Sequence, residues 1–393
     1  MTIGSGLGKS IGMAFESTYG VYTAPTAFAP LVDDTLKKDV ARIESKGVIS
    51  GARIRRSSQW KPGDITVAGD ITLELSNLSM GKWLKACGFS VVTTGAGPYT
   101  HTYTPGDMAA LSFTAQRMYP DVGGTNRPHT FVGCMVDSWD IGFQTNQELT
   151  FAVTLAAQNA YLYRTVTDGV TTSSSPTVTS ATAVFEQGDV GTPISDGGVK
   201  IPANSYIGIV NSSTSIGLSS SPTANTPVNA SSAGTGISLT IGIAYVSPSY
   251  SAGITPINAY GTSVTLAGTT ASVKSGNISS KNGLDVARRF VGSPLIKQPK
   301  EAALRTLAGK LMMEFEDDTQ FKRYLNGDEL AMVITAAAGA QQWQFTTNIR
   351  YDGNQPVQKG TALGEFEIGY TCVAPAADAD ALTIVYTSSE STP

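Results

Sequence analysis

The chain is poor in the residues that build most enzyme and metal sites. It has two histidines and three cysteines in 393 residues. Cys87, Cys134 and Cys372 lie far apart, and no CxxC, HExxH or CxxC…HxxxH spacing exists. That argues against a structural zinc or a zinc-protease site. An odd, sparse cysteine set builds no disulfide framework, so three buried reduced thiols are expected, as suits a reducing compartment. Charge is scarce too: charged residues make up 15%, with 27 basic against 31 acidic and a net charge of −4, where an average soluble chain carries roughly 25%. A protein that grips nucleic acid through phosphates needs a basic excess that is missing here. No stretch reaches about 18 apolar residues, so no membrane-spanning helix is expected. Residues 1–9 have neither the basic nor the apolar region of a signal peptide, so none is expected.

Glycine is plentiful, at 41 residues, and the texture is β. Short runs rich in Thr, Val, Ile, Phe and Tyr alternate with clusters of Gly, Pro, Asn and Ser, as at 65–75, 131–143, 148–155, 343–351 and 364–371. In 65–75 (ITVAGDITLEL), Ile65, Val67, Ile71, Leu73 and Leu75 share one face, and Asp70, Thr72 and Glu74 share the other. This is a half-buried strand with a wet acidic side. Only two segments read as helical. One is 77–88, with Ser76 or Asn77 as N-cap and Gly88 as the stop; the other is 318–325, followed by Gly327. Both are too short to stand unless packed on a sheet.

Composition shifts near Thr167. From there to Val246 the only charged residues are Asp168, Glu186, Asp189, Asp196 and Lys200, yet apolar runs such as YIGIV and GISLTIGIAYV persist. A pure linker would not keep them, so a small all-β module is expected. The flanking regions resemble each other. VAGDITLELSNLSMGKWL from Val67 lies over LAGKLMMEFEDDTQFKRY from Leu307, matching Ala68 with Ala308, Gly69 with Gly309, Glu74 with Glu314 and Lys82 with Lys322. Upstream, RIESKGVISGARIRRSS and NISSKNGLDVARRFVGS share the pattern of a strand followed by a basic loop. Shared pattern in shared order points to a duplication. The expected division is 1–165 as a first β domain with a flexible N-terminal arm, 166–246 as an inserted β module, and 247–393 as a second β domain.

Candidate sites are few. Residues 4–10 (GSGLGKS) mimic a phosphate loop, but the spacing of GxxxxGK[ST] fails and no strand precedes them. His101 and His129 lie in turn-like sequence without a nucleophile frame, and read as surface or loop histidines. Glu314, Glu316, Asp317 and Asp318 lack the spaced ligands and central glycine of a calcium loop. They fit a strand end leading into a helix N-terminus. Trp83, Trp139 and Trp343 sit in apolar contexts that read as core rather than as the lining of a carbohydrate cleft. The most pointed surface feature is the basic loop Arg53, Arg55, Arg56, Trp60, Lys61, followed by Pro62 and Gly63. A tryptophan among basic residues reads as an interface anchor, against the alternatives of a plain solvated loop or a nucleic-acid contact.

Taken in order, FESTYGVYTAPT, the basic loop, GDITLEL with LSMGKWLKACGF, HTFVGCMVDSWDIGF, TASVKSGNISSKNGLDVARRFVGSP and LAGKLMMEFEDDTQFKRYLNG resemble the major tail tube proteins of long-tailed bacteriophages. The resemblance covers about 10–165 and 250–390; DVGTPISDGGVKIPANSYIGIVNSS in between resembles small β modules that recur in phage structural proteins. It implies a duplicated tail-tube-type β-sandwich or split barrel, each copy with one short flanking helix. It also implies a structural, non-enzymatic role without cofactors or metals: rings of sixfold or pseudo-sixfold symmetry, trimeric or hexameric, stacked into a virion tail tube through which DNA passes unbound. Partners would be other copies of the chain, a tape measure protein and tail tip or terminator proteins, with assembly in the host cytoplasm and no membrane. A DNA conduit works best with a neutral or acidic wall, since each basic contact to phosphate adds affinity. Asp70, Thr72, Glu74 and the repeat counterpart Glu314 are the lumen-facing candidates; Arg53, Arg55, Arg56, Trp60 and Lys61 are the ring-stacking candidates. The alternative is another virion structural, decoration or adhesin-like β protein.

Overall fold

A computed structural model describes residues 6–47, 53–338, 341–353 and 365–392. One hydrogen-bonded network of nineteen strands folds back on itself in two layers, and a separate six-stranded sheet lies between Arg164 and Ile241. In the first half of the chain the strands that matter are β1 (Ser10–Phe15), β2 (Leu31–Asp34), β3 (Lys37–Glu44), β4 (Trp60–Glu74), β5 (Tyr99–Pro105), β6 (Phe113–Pro120), β7 (Asn126–Gln144) and β8 (Thr150–Ala157). In the second half they are β9 (Val273–Lys281), β10 (Thr306–Glu314), β11 (Glu329–Ala338), β12 (Gln341–Tyr351), β13 (Glu365–Val373) and β14 (Thr383–Ser388).

The duplication is visible in the pairing. β2 and β3 run along β4, β4 pairs with β8, and β8 pairs with β7. In the second half β9 pairs with β10, β10 with β13, and β13 with β12. Each quartet places a short helix after its second strand: α1 (Gly81–Ala86) after β4 and α2 (Thr319–Asn326) after β10. The quartets are joined edge to edge, because β7 pairs with β9 from Ser138↔Lys281 to Gln144↔Ser275. All these pairings are antiparallel, so β4 and β10 point the same way. The upstream sequence match holds as a pattern but not residue by residue. Lys281 pairs with Thr306, and the residue opposite the counterpart position Thr66 is Asp39, not Lys46.

The sheet has one apolar face. Ile65, Val67, Ile71 and Leu73 of β4, Phe151, Val153 and Leu155 of β8, Trp139 and Ile141 of β7, and Leu311 of β10 are all buried in one core. The second layer covers it. β12 turns from β13 to pair with β11 and β14, and β14 pairs with β5. Trp343 locks the layers together. It is 1% exposed, lies 4.1 Å from the ring of Tyr386 in a stacked pair, and donates its Nε1 proton to the Ser76 carbonyl at 3.0 Å. The small sheet has its own core, built on Val178, Ile207, Ile216, Leu218 and Leu239. Among the described residues, no helix is long and apolar enough to cross a membrane. The three cysteines are free and buried.

Several local expectations need correction. The first helix covers only Gly81–Ala86, and its N-cap position is Met80 without a side-chain cap. Ser76 and Asn77 serve other contacts: Asn77 Oδ1 accepts from the Thr255 amide at 2.7 Å, and its carbonyl accepts from the Tyr386 hydroxyl at 2.6 Å. Leu78 and Met80 are buried in an irregular segment rather than a helix turn. Gly88 does end the segment, at φ +96°. The second helix buries no residue fully and packs only lightly on the sheet, where the Tyr351 hydroxyl of β12 donates to Gln320 Oε1 at 2.8 Å. Of the N-terminal arm, Gly6–Gly8 form a 3-10 turn, and from Ser10 the chain is a strand whose first five residues are buried.

His101 is fully buried on β5, not on the surface. Its Nδ1 meets the Thr93 hydroxyl at 2.8 Å and its Nε2 meets the Glu390 carbonyl at 2.9 Å. His129, half-buried on β7, lies with Nδ1 3.1 Å from an Arg117 guanidinium nitrogen, while Arg117 is ion-paired with the buried Asp34. Burial first, then the Arg117 charge, push the His129 pKa down to about 4, with Asp34 opposing. The folded value lies below the ordinary value near 6.5, so the neutral ring's contribution to stability is present above that ordinary value. It is lost as pH falls through about 4. His129→Gln should therefore flatten the fall in stability between about pH 6.5 and 4, read as the difference between wild-type and variant denaturation midpoints over that range. Trp343→Ala should cost about 3–5 kcal/mol in chemical denaturation, since it empties a packed site and orphans the Ser76 carbonyl.

Candidate functional site

The polar face of the joined sheet gathers the lumen candidates. Strict alternation along β4 leaves Asp70 exposed and Thr72 and Glu74 half-buried, opposite the core residues. Directly opposed residues share a face in an antiparallel sheet, so cross-strand rows can be followed across both quartets. One row runs Glu74, Thr150, Gly142, Asn277, Lys310, Gly369. The next runs Thr72, Ala152, Asp140, Ser279, Ala308, Thr371, and a third runs Asp70, Thr154, Ser138, Lys281, Thr306. Glu314 ends β10 on the same face, opposite Glu365. All four residues thus lie on one continuous surface.

That surface is small-residue, polar and lightly charged. Asp70 accepts a hydrogen bond from the Thr154 hydroxyl at 2.7 Å. Lys274 reaches Glu314 at 3.3 Å and Glu365 at 2.9 Å, and those hydrogen bonds raise its pKa. Lys310 pairs with Glu367 at 3.3 Å. Asp140, hydrogen-bonded by Asn277, has its pKa raised by burial. The acidic side chains of the face outnumber the basic ones, and most basic groups are already paired. Among the described residues there is no group of three His, Cys, Asp or Glu side chains placed to hold a metal ion.

Two edges of this sheet are open among the described residues. β3 pairs with β4 alone, and residues 365–368 of β13 pair with β10 alone. β3 also anchors the small sheet's region. Lys38 points away from the polar face and its Nζ donates to Asn159 Oδ1 at 2.6 Å, to the Ala160 carbonyl at 2.9 Å and to the Gly188 carbonyl. This burial pushes the Lys38 pKa down to about 8. Arg164 and Asp189 add a two-pronged ion pair beside it.

The stacking candidates are brought together at the far end of β3 and β4. Arg53, Arg55, Arg56, Trp60 and Lys61 are all exposed. Arg55 is ion-paired with Glu44, and the Gln59 side chain accepts from the Arg56 amide at 2.8 Å. Residues 48–52 of the same loop lie outside the described residues. The features missed by sequence reading are the open edges and the Lys38 anchor. Their signals are long-range pairings, absent from any local pattern.

A family model described as phage tail tube protein matches the chain twice, over residues 6–206 and 205–377. The two matches meet inside the six-stranded sheet rather than at either of its ends. No curated protein matches the sequence. Two tandem matches over nearly the whole chain, on a mainly β fold with two equivalent strand quartets, place it plainly: the chain belongs to the phage tail tube protein family.

Proposed function

We propose that three chains close a pseudo-sixfold ring, that rings stack into the tail tube, and that the polar face lines a lumen through which DNA passes. The observation that carries this reading is the β7–β9 joint. Each quartet is the other's equivalent, so the joint inside one chain is a template for the joint between chains. The counterpart of β9 is β2 with β3, an edge open among the described residues; the counterpart of β7 is β12, which meets β13 at residues 348–351. Repeating the joint three times covers the open β3 edge of each chain, which removes the aggregation hazard of that exposed strand. Eight strands per chain give 24 per ring. At about 4.8 Å between strands the circumference is about 115 Å and the diameter about 37 Å before strand tilt widens it, which leaves room for a double helix.

The wall chemistry supports passage rather than binding. Asp70, Thr72, Glu74 and Glu314 face the lumen in this reading, and Lys274 and Lys310 beside them are paired with carboxylates. Few counterions would be released by a passing duplex, so it would not be held. The division into tube domains at 1–165 and 247–393 and an outward module at 166–246 fits the Lys38 contact. That contact reaches the small sheet's region from the side away from the polar face. The exposed basic loop Arg53, Arg55, Arg56, Trp60 and Lys61 serves stacking between rings. The role is structural, in the virion tail after assembly in the host cytoplasm, with a tape measure protein inside and tip or terminator proteins at the ends.

Negative-stain microscopy of the purified chain should show hollow striated tubes, and mass photometry of isolated rings should read three chains. Rings of six chains would overturn the pseudo-sixfold reading. Tubes of the Asp70→Lys/Glu74→Lys variant should retain added duplex DNA at low salt and release it as salt rises, whereas wild-type tubes should not. Equal retention by both would overturn the assignment of this face to the lumen.

A further inference from the structure

The hairpin of β3 and β4 outruns the sheet that it edges. β8 pairs with β4 only from Val67 onward, whereas Trp60, Lys61 and Pro62 pair with β3 alone. The Arg289 side chain braces the base of the hairpin at the Ile65 carbonyl, at 2.7 Å. Beyond it, about six residues of two-stranded ribbon project by about 20 Å. The second quartet has no such ribbon, since β9 ends at Lys281 opposite Thr306. A lone two-stranded ribbon is marginal in water. This one nevertheless carries Ile43 at 61%, Ile54 at 85% and Trp60 at 41% exposure, beside Arg53, Arg56 and Lys61.

The opposite end of the molecule holds a matching surface. β10 runs the same way as β4, so its last residue, Glu314, lies at the end of the sheet away from the ribbon. There Leu266, Met313, Phe315 and Phe366 line a groove of about 200 Å³, rimmed by Glu314, Glu316 and Asp317 with the single base Arg323. Phe315 is 38% exposed and sets its ring edge-on to Phe366 at 6.5 Å. Such a volume takes one aromatic or branched side chain.

We propose that residues 53–56 at the outer end of the ribbon of one copy dock in this groove on a second copy of the chain in the next ring, with Ile54 against the apolar floor and Arg53 and Arg56 against Glu316 and Asp317. The occupant follows from charge complementarity between the two ends and from the opposed placement of ribbon and groove. Two different patches at opposite ends make a heterologous contact that adds copies along an axis and never closes on itself. This deepens the tube reading and rests on it.

The test uses the full chain. Arg53→Glu/Arg56→Glu and Glu316→Lys/Asp317→Lys should each leave rings intact and reduce tubes at least tenfold in sedimentation and microscopy. The two pairs combined in one chain should restore tubes to within about threefold of wild type. A groove variant that grows tubes like wild type, or a combined variant without recovery, overturns the contact. Independently, an Ile54→Cys/Phe315→Cys chain, whose three native thiols are buried, should give a ladder of cross-linked multimers on oxidation in tubes and none in isolated rings. Normal tubes without the ladder would overturn the contact alone and leave the tube reading standing. A wild-type chain that never forms rings or tubes would overturn both.

Discussion

The joint between β7 and β9 is the interaction on which the architecture depends. Seven opposed residue pairs, from Ser138↔Lys281 to Gln144↔Ser275, weld two strand quartets into a single sheet. The weld aligns the apolar faces of both quartets over one core, so Ile141 and Ile278 lie side by side beneath it. It also aligns their polar faces. Because side chains alternate with a period of two, a slip of one residue at this joint would turn the second quartet's apolar face outward. The core therefore fixes the register, and the register fixes which side chains reach the polar surface.

The repeated Ala-Gly pair has a local cause in the same geometry. At Gly69 a Cβ would come within 2.7 Å of Leu36 backbone atoms, where the chain passes between β2 and β3. At Gly309 a Cβ would lie 2.1 Å from the Asn277 carbonyl oxygen and 2.5 Å from the Tyr370 hydroxyl. Both glycines let a neighbouring strand approach at the equivalent place in each quartet. The sequence match between the halves is thus sparse but physical. It persists where backbone meets backbone and fades where side chains need only be apolar or polar.

Legibility in the sequence followed the range of the interactions. The alternation over 65–75 could be read because a half-buried strand writes its two faces into neighbouring positions, and all five apolar residues named there are buried. Asp70, Thr72 and Glu74 could be put on one face for the same reason. The helical reading of 77–88 reaches too far back because Leu78 and Met80 are apolar and buried without being helical. His101 looked like a turn residue among threonines and tyrosines. Its burial comes from β14 and from the Glu390 carbonyl, 289 residues away. Strand order was illegible for the same cause, since no local pattern states that β9 lies beside β7.

The distribution of charge adds a direction to this fold. The net charge is small, but its components are sorted along the strands. Basic residues gather where β4 and β10 begin, at Arg53, Arg55, Arg56 and Lys61 in one quartet and at Arg288, Arg289 and Lys297 in the other. Carboxylates gather where β10 ends, at Glu314, Glu316, Asp317 and Asp318. The polar face between them is weakly acidic and largely self-paired. A subunit built this way carries opposite charge at its two ends, so two copies approaching with like ends together repel, while head-to-tail copies attract within a Debye length of about 10 Å. The low overall charge does not weaken this polarity. It leaves fewer competing charges elsewhere on the surface, which fits the proposed addition of copies along the axis of the strands.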